Sequence, residues 1–142
     1  MTERCINLDW LEVCALEPIE KPLDAEYFRA CGLSVLEREY GSKVWRDIFT
    51  IEDEHGHAFM EVRRAPKSEI IAINIVHLRL VNRYCYFEDA PDIMQAFMDA
   101  HGYEFHHITR VDICLDFEKF DFGDKPKDFL KRYIENVFSK IN

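Results

Sequence analysis

Residues 109–117 read TRVDICLDF, a stretch in which apolar and polar side chains alternate without interruption. Successive side chains of a β-strand point to opposite faces, so this strand has an apolar face and a polar face. The apolar face holds Val111, Ile113, Leu115 and Phe117. The polar face holds Arg110, Asp112, Cys114 and Asp116. Because aspartate is depleted in strands, two aspartates beside an arginine indicate a functional role. We expect the apolar face to build core and the polar face to carry the chemistry.

The length and composition predict one cytoplasmic domain spanning residues 1–142. A chain of this size buries enough surface to fold alone, and no apolar run reaches the ~20 residues that cross a bilayer. The N-terminus lacks the basic start and apolar stretch of a signal peptide. Five cysteines form an odd set without a CxxC pair, which predicts reduced packing residues. The formal net charge of −9 disfavours non-specific attraction to nucleic acid, although the segment after Lys125 is locally basic.

Periodicity and turn signals predict an α+β fold. β-rich runs occur at 6–16, 33–40, 44–52, 58–64, 69–86 and 109–117, the fifth as one long or bent strand. Helices are predicted at 25–31, with Asp24 as N-cap, at 91–101, ended by Gly102, and from Pro126 onward. Strands that come in runs, with helices between the groups, favour a mostly antiparallel β-sheet with two or three helices packed on it.

The polar face of residues 109–117 is a candidate cation or phosphodiester site. Carboxylates bind Mg²⁺ or Mn²⁺, and arginine binds phosphate, so Asp112 and Asp116 are predicted metal ligands. Their Cα atoms lie about 13 Å apart on a strand, so one ion can take only one of them unless the strand is bulged. Neighbouring strands must supply the other ligands, and the candidates are Asp9, Glu12, Glu61 and His77. A solvated face of cross-strand ion pairs is the alternative.

The histidines and tyrosines give weaker signals. His55-Gly56-His57 has the spacing of a metal-binding pair, but its surroundings predict a hairpin turn. His106 and His107 alternate faces on a strand, so at most one should join the polar row. A tyrosine nucleophile beside the cation site would predict a DNA strand-transfer enzyme. Tyr133, however, lies on an apolar helical stripe, which predicts core packing.

The chain resembles a known family at these residues. INLDWLEV (6–13), RVDICLDF (110–117) and the β-rich middle are similar to the N-terminal part of the replication initiation factor family, the rolling-circle initiators of plasmids and phages. The resemblance implies a fold similar to their nicking domains and a metal-dependent DNA nickase or relaxase. Its R-x-D-x-x-x-D strand matches Arg110, Asp112 and Asp116 residue by residue, which assigns these three the catalytic role.

The family's nucleophilic tyrosine lies well downstream of this strand, whereas 26 residues (142 − 116) follow Asp116. We therefore expect a chain that binds DNA but is catalytically incomplete alone. It is then an N-terminal fragment, a half that needs a partner chain, or a relative that lost catalysis. Lys127, Lys131 and Arg132 are the predicted DNA contacts of the last helix. The alternative from another class is a non-enzymatic interaction domain whose acidic surface binds a basic protein.

Overall fold

Residues 4–117 form a six-stranded antiparallel sheet with three helices, as the α+β prediction requires. The computed structural model describes residues 4–117 with 127, 131, 134 and 135, and side chains for 6–115 and those last four. The strands are β1 (Arg4–Leu16), β2 (Val35–Glu37), β3 (Trp45–Glu52), β4 (Ala58–Pro66), β5 (Ile75–Leu80) and β6 (Glu104–Phe117). The helices are α1 (Ala25–Ala30), α2 (Asn82–Cys85) and α3 (Ala90–His101). The strand order is β2-β3-β4-β5-β1-β6.

Local capping signals set the ends of α1 and α3 as the sequence predicts. The Asp24 side chain accepts a hydrogen bond of 2.9 Å from the backbone N–H of Tyr27, which satisfies a free donor of the first turn of α1. Gly102 ends α3 with φ +79°, a left-handed conformation that glycine adopts without a Cβ penalty. Both helices therefore begin and end within about one residue of their predicted limits.

Helices α1 and α3 cover one face of the sheet and form the core with it. Phe28 of α1 lies 5.7 Å from Phe49 of β3 and 6.0 Å from Phe97 of α3, measured between ring centroids. The apolar residues of β4 and β5 alternate inward as their pattern predicts. The fully buried ones are Met60, Val62, Val76, Leu78 and Leu80. Strands β1, β3, β4 and β5 thus share one core with the helices.

Two predicted strands are shorter in the structure than predicted, and the strand predicted at 109–117 begins earlier, at Glu104. The run 69–86 contains only the six residues of β5, followed by α2, rather than one long strand. β4 ends at Pro66, which has no N–H to donate, and Ala65 turns the chain at φ +55°. Ile70 and Ile73 are consequently exposed in the connection to β5. The strand predicted at 33–40 is also shorter, since only Val35, Leu36 and Glu37 pair with β3.

The prediction that the apolar face of residues 109–117 builds core is wrong for its described side chains. Val111, Ile113 and Leu115 are 47%, 68% and 50% exposed, and the side chain of Phe117 lies outside the described residues. The physical reason is position. β6 is an edge strand beyond β1, whereas the helices pack on the strands toward the middle of the sheet.

The chain divides into two compact units, residues 7–113 and residues 1–6 with 114–142. In the second unit the described residues 127, 131, 134 and 135 are helical and exposed. The rest of the helix predicted from Pro126 onward lies outside the described residues, including Tyr133. Within the part of the chain that is described, no helix combines the length and apolar character needed to cross a bilayer.

Candidate functional site

The face of the sheet opposite α1 and α3 gathers polar and aromatic side chains, and we call it the open face because α1 and α3, as far as the structure describes the chain, pack on the other side. Residues with even numbers on β1 point there, because Leu11, Val13 and Ala15 point into the core. Cross-strand partners share a face, so Arg79 and His77 of β5 lie beside Glu12 and Cys14 of β1. On the other side of β5, Glu61 and Arg63 of β4 pair with the same two residues. The open face is lined by Trp10, Glu12, Cys14, Glu61, Arg63, His77, Arg79 and Arg110.

Trp10 anchors two arginines from different strands. The guanidinium carbon of Arg79 lies 3.8 Å from the centre of the indole ring, and that of Arg110 lies 4.1 Å from it. The indole Nε1 donates a hydrogen bond of 3.0 Å to Glu12. A guanidinium on an aromatic face is held by cation–π attraction, worth about 0.5–1 kcal/mol at exposed sites. Trp10 therefore holds two guanidinium groups close to its ring on the open face.

Arg110 and Asp112 form the pair that the sequence places on one strand face. Nε and Nη2 of Arg110 donate to the two carboxylate oxygens of Asp112 over 3.2 and 2.7 Å. This hydrogen bonding raises the pKa of Arg110 and lowers the pKa of Asp112. Both side chains are substantially exposed, so the pair is accessible. The side chain of Asp116 lies outside the described residues, and the catalytic and metal-binding roles of the three stay predictions.

Glu61 is a buried carboxylate surrounded by arginines. Arg63 lies 2.7 Å from it, Arg79 3.5 Å and Arg38 3.9 Å, between nitrogen and oxygen atoms. Glu61 thus meets three guanidinium groups. With Arg110, and with Glu12 and Asp112, the named residues of this face carry four arginines against three carboxylates, a small positive excess on a chain whose net charge is −9. Arg38, Arg63 and Arg79 were missed as site residues because their convergence depends on the register of β4 and β5.

Glu12 and His77 form a second cross-strand contact on this face. The Nδ1 of His77 lies 3.0 Å from a carboxylate oxygen of Glu12. Burial lowers the pKa of His77 although Glu12 acts in the opposite direction. Of the four further ligands considered from sequence, Glu12, Glu61 and His77 share the open face. Asp9 lies on the opposite face, where it accepts a hydrogen bond from Tyr86.

Cys14 meets two adjacent histidines where β1 lies next to β6. The sulfur of Cys14 and one ring nitrogen each of His106 and His107 lie within 4.8 Å of one another. The Nδ1 atoms of the two histidines are 2.6 Å apart. The prediction that at most one of them joins the polar side of the strand is therefore wrong. Cys14 is buried, and desolvation raises the pKa of its thiol.

The remaining predicted residues lie elsewhere. His55 and His57 belong to the turn between β3 and β4, where both backbone N–H groups donate to Asp53, so the hairpin interpretation is confirmed. Lys127 and Lys131 are helical and exposed in the unit that contains residues 114–142. Arg132 lies outside the described residues.

Comparison of the chain with protein-family models, with curated proteins and with solved structures finds no match.

Proposed function

We propose that this chain is a replication-initiator-like domain of a plasmid, phage or other mobile element, acting in the cytoplasm and binding single-stranded DNA on the open face. One observation carries the proposal: Arg110, paired with Asp112 in the family-like strand, lies on Trp10 together with Arg79. These arginines come from β5 and β6, on the two sides of β1. They form a short cationic row across the strands.

The charge of the open face supports an anionic ligand. Arginine presents several N–H donors in a rigid fork that matches phosphate oxygens, and stacking on Trp10 restricts the orientation of that fork. Glu61 accepts hydrogen bonds from Arg63 and Arg79 and lies 3.9 Å from Arg38, so one carboxylate faces three guanidinium groups. A bound phosphate would compensate the remaining positive charge. The acidic balance of the whole chain then limits binding to this face instead of spreading it over the surface.

The cationic and flat groups of the open face favour single-stranded DNA over duplex DNA. Proteins that hold single-stranded nucleic acid combine a cationic track with flat groups on which bases stack. Arg79 and Arg110, laid on an indole, provide both charge and flat surface. Reading duplex DNA commonly uses a helix or ribbon inserted into a groove. A flexible strand can instead lie across a sheet face.

We assign no strand cleavage to this chain alone. The hydroxyl of Tyr84 donates a hydrogen bond to Asp53. Burial, and to a smaller extent this hydrogen bond, raises the pKa of Tyr84, which opposes formation of a nucleophilic phenolate. A partner chain supplying a nucleophile would complete the enzyme. A divalent cation, Mg²⁺ or Mn²⁺, stays a prediction. Both oxygens of Asp112 accept from Arg110, so a cation there must compete with that guanidinium, and DNA binding as proposed does not need it.

Binding of a fluorescently labelled oligothymidine to the purified chain, measured by anisotropy over a salt series, tests this proposal. We expect saturable binding at low salt that weakens as salt rises, since phosphate contacts release counterions. The Arg110→Ala variant should weaken binding and reduce the slope of log K against log salt by about 0.7, the value for one single-strand contact.

Arg29→Ala is the matched control, because it removes the same charge from α1, on the other side of the sheet, where Arg29 pairs with Glu26 and Glu37. It should bind like the parent chain. Equal weakening by both variants, or no binding at low salt, contradicts the proposal. Salt-sensitive binding of a basic protein without DNA binding would favour the acidic-surface interaction domain.

A further inference from the structure

The cluster of Cys14, His106 and His107 brings together side chains of the types that ligate metals, and the proposed function does not use it. Its ligand atoms already lie within 4.8 Å of one another, although two of the residues belong to β6 and one to β1. Sulfur and imidazole nitrogen are the donors typical of zinc, whereas Mg²⁺ prefers oxygen. The cluster thus differs in both residues and chemistry from the carboxylate site predicted at Asp112 and Asp116.

We propose that Cys14, His106 and His107 hold a tetrahedral zinc ion, with a water in the fourth position. Around a tetrahedral zinc, two imidazole nitrogens lie about 3.4 Å apart and a nitrogen and a thiolate sulfur about 3.6 Å apart, from bond lengths near 2.1 and 2.3 Å. The observed 2.6 Å between the histidine nitrogens must widen by about 1 Å. The longest distance between ligand atoms, at most 4.8 Å, must shorten by about 1 Å.

The surroundings of the cluster suit a cation that ligates sulfur. Cys14 is buried although it points to the open face, so its sulfur is shielded from solvent and from disulfide exchange. His106 and His107 are exposed and can reorient without disturbing the core. The ion would also tie the edge strand β6 to β1.

Cobalt titration of the metal-free chain, prepared with a chelator under reducing conditions, tests the site. Tetrahedral Co²⁺ bound by a thiolate gives a sulfur-to-cobalt charge-transfer band and intense visible d–d bands. We expect both at one equivalent of cobalt, and their loss when zinc is added. The Cys14→Ser variant should lose the charge-transfer band. Cys31→Ser, which changes an exposed cysteine after α1, should keep it.

Histidine variants keep the test decisive if Cys14→Ser fails to fold. His106→Ala and His107→Ala change exposed residues, and circular dichroism should report a native fold for both. Each should lower zinc affinity by at least about 100-fold, the upper end of what the loss of an outer-shell partner costs. His55→Ala is the matched control in the β3–β4 turn and should bind zinc like the parent chain.

Three results overturn the site. They are the absence of a charge-transfer band in the parent chain, its persistence in Cys14→Ser, and equal zinc affinity in the parent chain and His107→Ala. The readout does not depend on DNA, so the zinc site and the proposed function can fail separately.

Discussion

The central strands β4 and β5 and the edge strand β6 share an alternating pattern but differ in what covers it. Met60, Val62 and Leu78 are completely buried, whereas Val111 and Ile113 of β6 are about half exposed or more. Alternation therefore predicts that a segment is a strand and which residues share a face. It does not predict whether that face is covered, because coverage depends on the position of the strand in the sheet.

The polar sides of these strands differ in the same way. Glu61 of β4 is 7% exposed among three arginines, whereas the pair of Arg110 and Asp112 on β6 is open to solvent. Strong burial makes Glu61 part of the framework of the open face. The edge strand is where a ligand can reach the charged groups directly.

Replacing one apolar residue by alanine in each region should give the largest difference in unfolding free energy between β5 and β6. Leu78→Ala in β5 removes a fully buried side chain and should lower the free energy of unfolding by about 2–5 kcal/mol. Val111→Ala in β6 should change it by less than about 0.5 kcal/mol, since the side chain is half exposed. Urea denaturation followed by circular dichroism measures both. Similar losses would mean that the β6 face is covered in solution.

The second largest difference in unfolding free energy should lie between a buried and an exposed ion pair. Arg64 donates to Glu17 over 2.8 Å, and both side chains are largely buried. Glu17→Ala leaves this guanidinium buried with Asp47 as its remaining carboxylate partner, and should cost about 3 kcal/mol of unfolding free energy. Glu26→Ala, which breaks the exposed pair with Arg29, is the control and should leave the urea midpoint nearly unchanged. A similar shift in both variants would mean that burial does not control the strength of these pairs.

Acid stability should depend on Asp53 in the β3–β4 turn. Its pKa is lowered to about 2, first because Tyr84 donates to it and then because the His57 backbone N–H does. The folded pKa lies below the unfolded value of about 3.9, so Asp53 stabilises the fold above pH 4. This contribution is lost as the pH falls from about 4 toward 2.

Urea midpoints of the parent chain and Asp53→Asn, measured between pH 6 and 2, test this dependence. The difference between the two should narrow as the pH falls through this window. Glu54→Gln, which changes the next, exposed carboxylate, is the control and should follow the parent chain. A constant difference between Asp53→Asn and the parent would exclude the carboxylate as its cause.

Elements set by local signals were predictable from the sequence. Asp24 caps α1 and Gly102 ends α3 through interactions within a few residues, so both helices follow from local composition. The run 69–86 was mispredicted because β-propensity is continuous there, while the extent of β5 is set by its partners. β5 pairs with Met60–Arg63 of β4 and Leu11–Leu16 of β1, and these pairings end at Leu80.

The candidate site also contains one part set by local sequence and other parts set by strand pairing. Arg110 and Asp112 were predictable as neighbours because residues two apart on a strand share a face. The meeting of Cys14 with His106 and His107 joins positions 92 residues apart (106 − 14). It depends on β6 lying beside β1 and follows no cysteine or histidine spacing. The stacking of Arg79 and Arg110 on Trp10 is equally non-local, since three strands contribute one residue each.

Mapping the DNA-binding surface by nuclear magnetic resonance tests the central claim most directly. Backbone amide shifts of the labelled chain would be followed while a short oligothymidine is added at low salt. The open face should respond, with the largest changes at Glu12, Arg79 and Arg110 and little change in α1 and α3. Changes concentrated on α1 and α3, or no changes at saturating oligonucleotide, would contradict a single-strand site on the open face.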